Sequence, residues 1–578
     1  MISSRRTFNG VLTGVAITAL ALTGCSSSGS PAATSSSAAG GGRVSGGGQA
    51  SGGGPTLAVY TGASGSFVKN FNPLSPTVLS EFQGLIYEPL FFFNGLAPLG
   101  TKPVPVLGVS YAWNATGTIL TVTTKPGVTW SDGKPFSASD VAFTMNLIRN
   151  TKALNTSGNT PTAKATDATH VTLAFDKPSY TSAATILGQT YIVPEHVWKS
   201  KANPATDVNE NPVGTGPMAL SDFNSQSYLL KANAKFREAS SVRVGGLRMY
   251  SLSGNEAATN KLLAGQLDWA GIFIPNVTKV IGSKPNLAYT VFGNQQVVLN
   301  TCSSAALGCT GPQTDPVVRQ AIAAAINRDQ VNKLAYYGLA VPISATFLVP
   351  GRDDQFIAAT DKGTEPLSAD VPKADSLLTG AGWTKGADGI FAKAGRRLSM
   401  NVLVTSGYTD YISALQTMAE QLKAAGIEIN VQQVANQENN SAAALGKFQL
   451  QINGIFQGPT ADPYYIYDKY FGSENTGPVG TSINPFGNVV RFSNKAVDAA
   501  IANAGATQDL SVKAKAYAII QDAIVKDLPY IPVVDNRNFV EFNSARVAGF
   551  PTKDNLYAIP NPGNAPDNEQ VLLHMTTK

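Results

Sequence analysis

Apolar residues recur at helical spacing in four stretches of the chain, which predicts four amphipathic helices. Two of these begin with strong start signals: the SASD sequence at 137–140 is capping-box-like, and Asp315 precedes Pro316 as an N-cap before a first-turn proline. The other two apolar stripes lie within 412–422 and 516–524. By themselves, the four stripes indicate packing in a hydrophobic core.

Strands are predicted where β-branched residues cluster or alternate with polar ones. The ILTVTT sequence at 119–124, the HVTLAF sequence at 170–175 and the IEINV sequence at 427–431 have these patterns. Helices and strands alternate along the chain, which is typical of an α/β architecture. Because 578 residues exceed the length of one compact core, two or more domains are expected.

The first 25 residues have the pattern of an export signal followed by a lipid anchor. Arg5 and Arg6 precede the apolar stretch 11–22, which is too short to span a bilayer comfortably as a permanent helix, so 1–24 is predicted to be a signal peptide. The arginine pair resembles a twin-arginine export signal, while ordinary general secretion stays an open alternative. The LTGC sequence that ends at Cys25 resembles a bacterial lipobox, which implies a lipid on the Cys25 thiol and an extracytoplasmic protein anchored to the cell membrane.

A tether of low complexity follows the predicted lipid attachment. Residues 26–55 are almost wholly Ser, Gly, Ala and Thr, which cannot bury enough apolar surface to offset the entropy of the chain. We therefore expect a flexible linker over 25–54 with a root-mean-square reach of roughly 30 Å. Outside the cytosol, the closely spaced Cys302 and Cys309 are expected to form a local disulfide.

The composition argues against several classes of function. Charged residues are only 14% of the chain, and 43 Lys and Arg against 38 Asp and Glu leave a net charge of +5 without a basic block, so no nucleic-acid partner is expected. The three histidines, His170, His196 and His574, form no metal-binding motif, so no metal site or cofactor is predicted. The Ser-x-x-Lys match at 66–69 lacks its companion motifs, and neither a Gly-x-Ser-x-Gly elbow nor a P-loop occurs, so the chain is not predicted to be an enzyme.

Short sequence blocks occur in a fixed order across nearly the whole chain after the tether. The most specific is GVTWSDGKPFSASDVAFT at 127–144. The others are FNP at 71–73, IYEPL at 86–90, IVPEHVW at 192–198, NPVGTGP at 211–217, LAGQLD at 263–268, VRQAIAAAINR at 318–328, AGW at 381–383 and DP at 462–463. This ordered set resembles the family 5 extracellular solute-binding proteins, which are the peptide, nickel and oligosaccharide receptors of ABC importers.

The resemblance implies an α/β fold of two lobes joined by a hinge, periplasmic-binding-protein-like (type II, cluster C), with an extra subdomain in lobe I. The implied boundaries are 55–298 for lobe I with the subdomain at about 85–210, 299–529 for lobe II, and 530–578 for a return to lobe I. The chain would then cross between the lobes twice, near 294–300 and near 528–532. Such a pair of crossings suits closure around a ligand.

The resemblance also places the expected ligand site in the cleft between the lobes. Many peptide-binding members have a Trp followed three residues later by an Asp that binds the peptide α-ammonium, and here these positions are Phe456 and Pro459, so the usual amine clamp is missing. Phe456 is expected either to stack on a ligand or to pack under the cleft floor, and Gln457 suits a neutral polar ligand. The complete set of expected ligand residues is Phe456, Gln457, Gly458 and Asp462, with Phe67, Asn70 and Asn72 as weaker candidates for the opposing wall. Asp462 has an alternative role, which is to orient the turn before Pro463.

As a function, the resemblance implies a substrate-binding lipoprotein of an ABC importer. Its expected partners are a small solute, with oligopeptides as the commonest class, an ABC permease and the ATPase subunits of that permease. Two alternatives stay open at this point. One is an oligosaccharide or metal-chelate receptor of the same fold, and the other is a tethered sensor without transport.

Overall fold

The computed structural model describes residues 53–62, 66–75, 80–155, 160–361 and 363–578. The predicted signal peptide, the predicted lipid attachment at Cys25 and the tether as far as residue 52 lie outside the described residues. Within the described ranges, no helix has the length and apolar character that a membrane crossing requires.

The described residues form strands and helices in alternation. In chain order the strands are β1 Thr56–Tyr60, β2 Phe91–Phe92, β3 Val104–Pro105, β4 Gly108–Trp113, β5 Ile119–Thr124, β6 Thr162–Ala165, β7 His170–Ala174, β8 Met218–Asn224, β9 Ser227–Ala232, β10 Gly246–Tyr250, β11 Trp269–Ala270, β12 Leu287–Thr301, β13 Thr384–Lys385, β14 Phe391–Lys393, β15 Arg396–Arg397, β16 Ser399–Thr405, β17 Glu428–Val434, β18 Leu450–Phe456, β19 Tyr530–Asn543, β20 Val547–Ala548 and β21 Thr576–Thr577. The α-helices are α1 Ala138–Asn150, α2 Ala183–Gly188, α3 Glu195–Trp198, α4 Asn255–Leu263, α5 Val277–Gly282, α6 Pro316–Ala325, α7 Arg328–Ala335, α8 Val371–Gly380, α9 Thr409–Ala424, α10 Asn436–Leu445, α11 Tyr464–Phe471, α12 Lys495–Gly505, α13 Leu510–Asp527 and α14 Asp567–His574.

Local sequence signals explain where the four predicted helices lie, and all four are confirmed as α1, α6, α9 and α13. At the start of α1, the carboxylate of Asp140 accepts the N–H of Ser137 at 3.0 Å. At the start of α6, Asp315 accepts the N–H of Val317 at 3.0 Å. The predicted strands are confirmed as β5, β7 and β17. One detail is wrong: Ile519, inside the apolar stripe of α13, is 50% exposed, because the stripe is wider in the sequence than the face of α13 that packs on the core.

The largest sheet has ten strands in the order β17-β16-β18-β12-β19-β11-β1-β10-β9-β8. Its two longest strands, β12 and β19, pair antiparallel in the middle. The second half of β19 pairs with β11 on the side of β1, whereas the second half of β12 pairs with β18 on the other side. We call the part of the molecule built on β1 and β8–β11 lobe I and the part built on β16–β18 lobe II.

The two lobes are joined where the pairing of β12 with β19 is irregular. The register shifts between Phe292 and Gln295 of β12. Gly293 lies within this shift, and a Cβ atom there would stand 2.0 Å from Nη1 of Arg537 in β19, so any side chain would have to displace the arginine. A bulge of this kind bends a strand locally, which makes this waist the natural position for a hinge.

Both halves of the sheet are covered on two faces. In lobe II, Val297 and Leu299 of β12 pack in a cluster with α6–α9, and Val298 packs in a cluster with α11–α13 on the opposite face. In lobe I, Val59 and Tyr60 of β1 likewise belong to two different clusters. The alternation follows from the two-residue period of a strand, and it gives each lobe its own core.

A further sheet, in the order β4-β5-β7-β6, is inserted in the chain between β1 and β8. Helix α1 packs on it, and the shared core contains Trp130, Phe136 and Met145. These residues come from the block at 127–144, so this block, which carries the most specific resemblance, builds a core instead of a ligand site. In lobe II, Cys302 and Cys309 form a disulfide with their Cα atoms 5.5 Å apart.

Candidate functional site

A cavity of about 210 Å³ lies between the two lobes. We call it cavity A. Lobe II contributes 456–459, which directly follow β18, and the facing wall comes from Phe93, from 95–96, from one side of α2 with Gln189, and from 559–567. The cavity therefore has walls from segments that lie far apart in the sequence but meet where the lobes face each other.

The lobe II wall is fixed by α11. The N–H of Phe456 donates to the hydroxyl of Tyr470 at 3.0 Å, and the Phe456 ring is 37% exposed beside the cavity. Gly458 must lack a side chain, because a Cβ atom there would lie 2.4 Å from the Cβ of Tyr465. Across the cavity, a Cβ atom on Gly95 would lie 2.8 Å from the carbonyl oxygen of Gly458. Two glycines thus allow the backbones of the lobes to approach each other closely.

Gln457 is held in place by a partly buried arginine, Arg352. Its Oε1 accepts a hydrogen bond from Nη2 of Arg352 at 2.6 Å. Arg352 in turn makes two hydrogen bonds of 2.7 Å to the buried carboxylate of Asp353. Within the described part of the chain, Nε2 of Gln457 has no hydrogen-bond partner. The arrangement leaves one oriented donor on the lobe II wall for a carbonyl or hydroxyl oxygen of a ligand.

The lobe I wall contains one carboxyl group, that of Asp567. Its Oδ1 accepts the N–H of Ile559 at 2.7 Å and its Oδ2 accepts from Nδ2 of Asn564 at 2.7 Å. Burial raises the pKa of Asp567 to about 7. Among the described residues that line cavity A, none is Lys, Arg or His. Cavity A is therefore polar but carries little charge.

Four of the predicted ligand residues lie elsewhere. Asp462 is buried, where it pairs with Lys513, accepts from the Tyr517 hydroxyl, and accepts the N–H of Tyr464 at 3.0 Å. This geometry matches the alternative role of orienting the turn before Pro463. The remaining three lie in lobe I. Phe67 packs on Tyr228 with ring centroids 5.0 Å apart, and Asn72 donates to the carbonyl oxygens of Pro204 and Asp207 at 2.8 Å. Oδ1 of Asn70 accepts the N–H of Asn72 at 3.1 Å. The structure brings Phe456, Gln457 and Gly458 together in the lining of cavity A, and the other four predicted residues are not part of that lining.

The lobes also contact each other directly next to cavity A. Oγ1 of Thr181, in the turn before α2, donates to the carbonyl oxygen of Gly505 at the end of α12, 3.2 Å away. The hydroxyl of Tyr465 in α11 donates to the carbonyl oxygen of Thr181. These polar contacts are few, and each joins the inserted region of lobe I to the helices of lobe II.

No cluster of three or more His, Cys, Asp or Glu side chains that could hold a metal ion occurs among the described residues. The histidines have other partners. His170 lies 2.9 Å from the carboxylate of Asp167, and His196 lies 2.8 Å from that of Asp132. Cavity A therefore offers hydrogen bonds and apolar contact to a ligand.

Sequence reasoning missed the lobe I wall of cavity A. Phe93, Gln189 and Asn564 come from three distant segments, and nothing in the spacing of these residues links them. The one local signal is the aromatic run FFF at 91–93, which follows the IYEPL block and extends one residue beyond the two-residue strand β2.

The model of the bacterial extracellular solute-binding proteins, family 5 (middle region), matches residues 102–478. The chain is 28% identical over 426 residues to Protein XP55 of Streptomyces lividans, covering 72% of each protein. It is 25% identical over 476 residues to the glutathione-binding protein GsiB of Salmonella typhi, covering 79% of this chain and 86% of GsiB.

Among solved structures, the chain is similar to a mannohexaose-bound periplasmic oligopeptide-binding protein of an oligopeptide ABC transporter from Thermotoga maritima. The TM-score is 0.81 and the identity 23%, over 91% of this chain and 99% of that one. This likeness confirms the predicted fold class, an α/β periplasmic-binding-protein fold of two lobes. Since the family model covers well over half of the sequence, the chain belongs to the bacterial extracellular solute-binding proteins of family 5.

Proposed function

We propose that this protein is the substrate-binding lipoprotein of an ABC importer, which captures a small solute between its lobes and delivers it to a membrane permease with its ATPase subunits. An oligopeptide is the first candidate for the solute, because GsiB is a glutathione-binding protein and the Thermotoga maritima protein is an oligopeptide-binding protein. The observation that carries the proposal is cavity A, to which both lobes contribute walls. A solute that contacts both walls binds the closed form more tightly than the open form and so drives closure.

For the moving bodies we propose lobe I at 55–298 and 530–578, with its subdomain at about 85–210, and lobe II at 299–529. Strands β12 and β19 would bend at the waist, where Gly293 lies under Arg537. Binding and release would complete the activity without a chemical step. A purified sample that converts a probe into a new product, detected by mass spectrometry, would contradict this part of the proposal.

An oligosaccharide is a second candidate, and the lining of cavity A favours it. Aromatic Phe456 and Phe93 and the neutral amides of Gln457, Gln189 and Asn564 are groups that bind sugar rings and hydroxyls. A thermal-shift screen with oligopeptides, oligosaccharides and metal chelates separates the classes. A probe at 100 times its Kd is expected to raise the free energy of unfolding by about 2.7 kcal/mol. If sugars raise the melting temperature and peptides do not, the oligopeptide assignment is wrong.

Small-angle X-ray scattering tests the closure itself. The radius of gyration is expected to fall when a binding probe is added and to stay constant with a non-binding one. An unchanged scattering curve at saturation with a probe of measured affinity would refute lobe closure.

The proposed anchor is a lipid on Cys25, after export and removal of 1–24, with the body held outside the cytoplasm by the tether. Cys25→Ser is expected to move the protein from the membrane fraction to the soluble extracytoplasmic fraction, because no acyl chain can then be attached. Retention of the variant in the membrane fraction would rule the lipid anchor out.

A further inference from the structure

A second cavity, of about 270 Å³, lies at the waist between the lobes. We call it cavity B. Lobe II contributes Tyr408, Asp410 and Tyr411 from the start of α9, lobe I contributes 271–273 and Asn561, and strands β12 and β19 contribute polar side chains. Since its walls come from both lobes and from the hinge strands, cavity B must change shape when the lobes move.

Cavity B is a neighbour of cavity A. Gln295, which lines cavity B, is the backbone pairing partner of Phe456, which lines cavity A. The segment 561–567 supplies Asn561 to cavity B and Asn564 to cavity A. A solute with more than one functional group therefore has access to two adjoining environments.

Each cavity lining contains one carboxyl group, and the two groups differ in their partners, since both oxygens of Asp567 accept hydrogen bonds within the protein. Asp410 is the acidic residue in the lining of cavity B, and that lining contains no Lys, Arg or His among the described residues. Across the described part of the chain, none of the ion pairs includes Asp410. Burial raises the pKa of Asp410 to about 6, and the opposing effects come from the backbone N–H groups of Tyr411 and of Asp410 itself. At neutral pH the cavity thus holds an anion that lacks a counter-charge, which is an unfavourable state for a partly buried carboxylate.

The groups around Asp410 suit an organic cation. The rings of Tyr408 and Tyr411 stand edge to face with centroids 6.0 Å apart, and aromatic faces attract ammonium groups. Asn536 and Asn561 add neutral amide groups to the lining, while Nε2 of Gln295 already donates to the Tyr411 hydroxyl at 2.9 Å. One carboxylate with neutral amides is too poor a ligand set for a bare divalent metal ion, which takes several charged oxygens.

We propose that cavity B is the subsite for a positively charged amine of the solute, with Asp410 as its counter-charge and Tyr408 and Tyr411 as its aromatic walls. The inference rests on the proposed function and narrows the solute to an amine-bearing molecule, such as a peptide with a free amino group. It divides the cleft into cavity A, whose carboxyl group is hydrogen-bonded within the protein, and a cation-binding part at cavity B. The amine contacts lobe II through Asp410, and the remainder of the solute can reach lobe I. Asp410 therefore both pairs with the positive charge of the amine and promotes closure.

The test uses the exported, tether-bearing protein without its signal peptide and two variants. Asp410→Asn keeps the size of the side chain and removes the charge. Glu420→Gln removes a charge from the exposed side of the same helix and serves as the matched control. The probes are a panel of di- to pentapeptides, the N-acetyl derivative of each, and mannohexaose, measured by isothermal titration calorimetry. Ethylammonium is a further probe that needs no peptide. Its effect is the melting temperature in ethylammonium chloride compared with that in sodium chloride at the same concentration.

For a peptide that binds, we expect the N-acetyl derivative to bind at least tenfold more weakly. Asp410→Asn should lower the affinity for the free peptide at least tenfold and change the affinity for the acetylated peptide by less than twofold. Glu420→Gln should leave both affinities within twofold of the wild-type values. The ligand-free Asp410→Asn protein should melt at the same or a higher temperature, because an uncompensated charge has been removed.

Three outcomes distinguish the cation subsite at cavity B from the receptor function on which it rests. Equal peptide affinity of the wild type and Asp410→Asn overturns the cation subsite and leaves the receptor function standing. Binding of mannohexaose alone, unaffected by Asp410→Asn, does the same. If no peptide or sugar binds but ethylammonium raises the melting temperature of the wild type and not that of Asp410→Asn, the cation site stands and the receptor function fails.

Discussion

The buried charge pair behind the lobe II wall of cavity A gives the sharpest prediction. Asp462 and Lys513 are 7% and 5% exposed, and the Asp462 carboxylate also accepts from Tyr517 and from the first turn of α11 through the N–H of Tyr464. Asp462→Asn retains the shape of the side chain but removes its charge. We expect a large loss of stability with little change in solute affinity, because Asp462 supports the wall of the cavity without lining it.

The magnitude follows from what is left behind. With Asn at 462, the ammonium of Lys513 stays buried without its counter-charge, and breaking a buried pair in this way costs about 3–5 kcal/mol. Asp462→Asn combined with Lys513→Met removes both charges, so no unpaired ion remains, and the loss should fall below about 2 kcal/mol. The double variant is therefore expected to be more stable than the Asp462→Asn single variant.

Urea unfolding followed by circular dichroism measures the three variants and the wild type, with the m-value checked for constancy. Asp554→Asn is the matched control, because Asp554 and Lys553 form an ion pair that is 78% and 79% exposed, and such pairs contribute almost nothing. Calorimetry with a binding probe, below the onset of unfolding, gives the affinity of each variant.

Two results would refute this reasoning. If Asp462→Asn lowers the free energy of unfolding no more than Asp554→Asn does, the pair of Asp462 and Lys513 is not buried as the structure shows it. If Asp462→Asn stays folded and loses binding more than tenfold, Asp462 acts on the solute and the sequence-based hypothesis of a ligand role is restored.

Three further predictions concern other parts of the molecule. Phe456→Ala is expected to weaken binding of a calorimetric probe about tenfold or more, because a partly exposed aromatic ring on a cavity wall is removed; unchanged affinity would exclude stacking. The double variant Cys302→Ser with Cys309→Ser opens a loop with a sequence separation of 7, and its free energy of unfolding, measured with urea, should be lower by about 2 kcal/mol. Equal stability of the wild type with and without reductant would contradict this. The pKa of Asp567 is raised from 3.8 to about 7, so its protonated form stabilises the folded state below pH 4 and this contribution is lost as the pH rises through 7. The stability of the wild type relative to Asp567→Asn should therefore fall by about 4 kcal/mol between pH 4 and pH 8, and a pH-independent difference would show that the carboxyl is not shielded.

The sequence predicted those features that are encoded locally. The starts of α1 and α6 depend on a capping residue within one turn, and the structure has them where Ser137 and Asp315 lie. Phe456, Gln457 and Gly458, which the resemblance places in the ligand cleft, are consecutive and line cavity A together, while their contact with a ligand stays a prediction. Such features need only the chain within a few residues of themselves.

The sequence did not reveal features that depend on how distant segments pack. Ile519 belongs to an apolar stripe but is half exposed, because the face that α13 buries is set by its neighbours and not by its own pattern. Phe93, Gln189 and Asn564 form one wall only after three separate parts of lobe I have folded together. Asn72 was assigned to a ligand wall from its position near Phe67, but its amide is used to hold the backbone of 204–207.

Asp410 shows why a charge acquires its role from its surroundings. In the sequence it is an acid in the first turn of a helix, where a carboxylate commonly stabilises the helix dipole, so nothing sets it apart. Asp140 has the same kind of position in α1, but there the carboxylate accepts the N–H of Ser137 and that of Glu195, which satisfies both of its oxygens within the fold. At Asp410 the structure provides a cavity that is open to solvent, aromatic neighbours and, among the described residues of its lining, no cation. The difference between a structural acid and a binding acid thus lies in the partners that folding supplies, and where folding supplies no positive charge, a solute can.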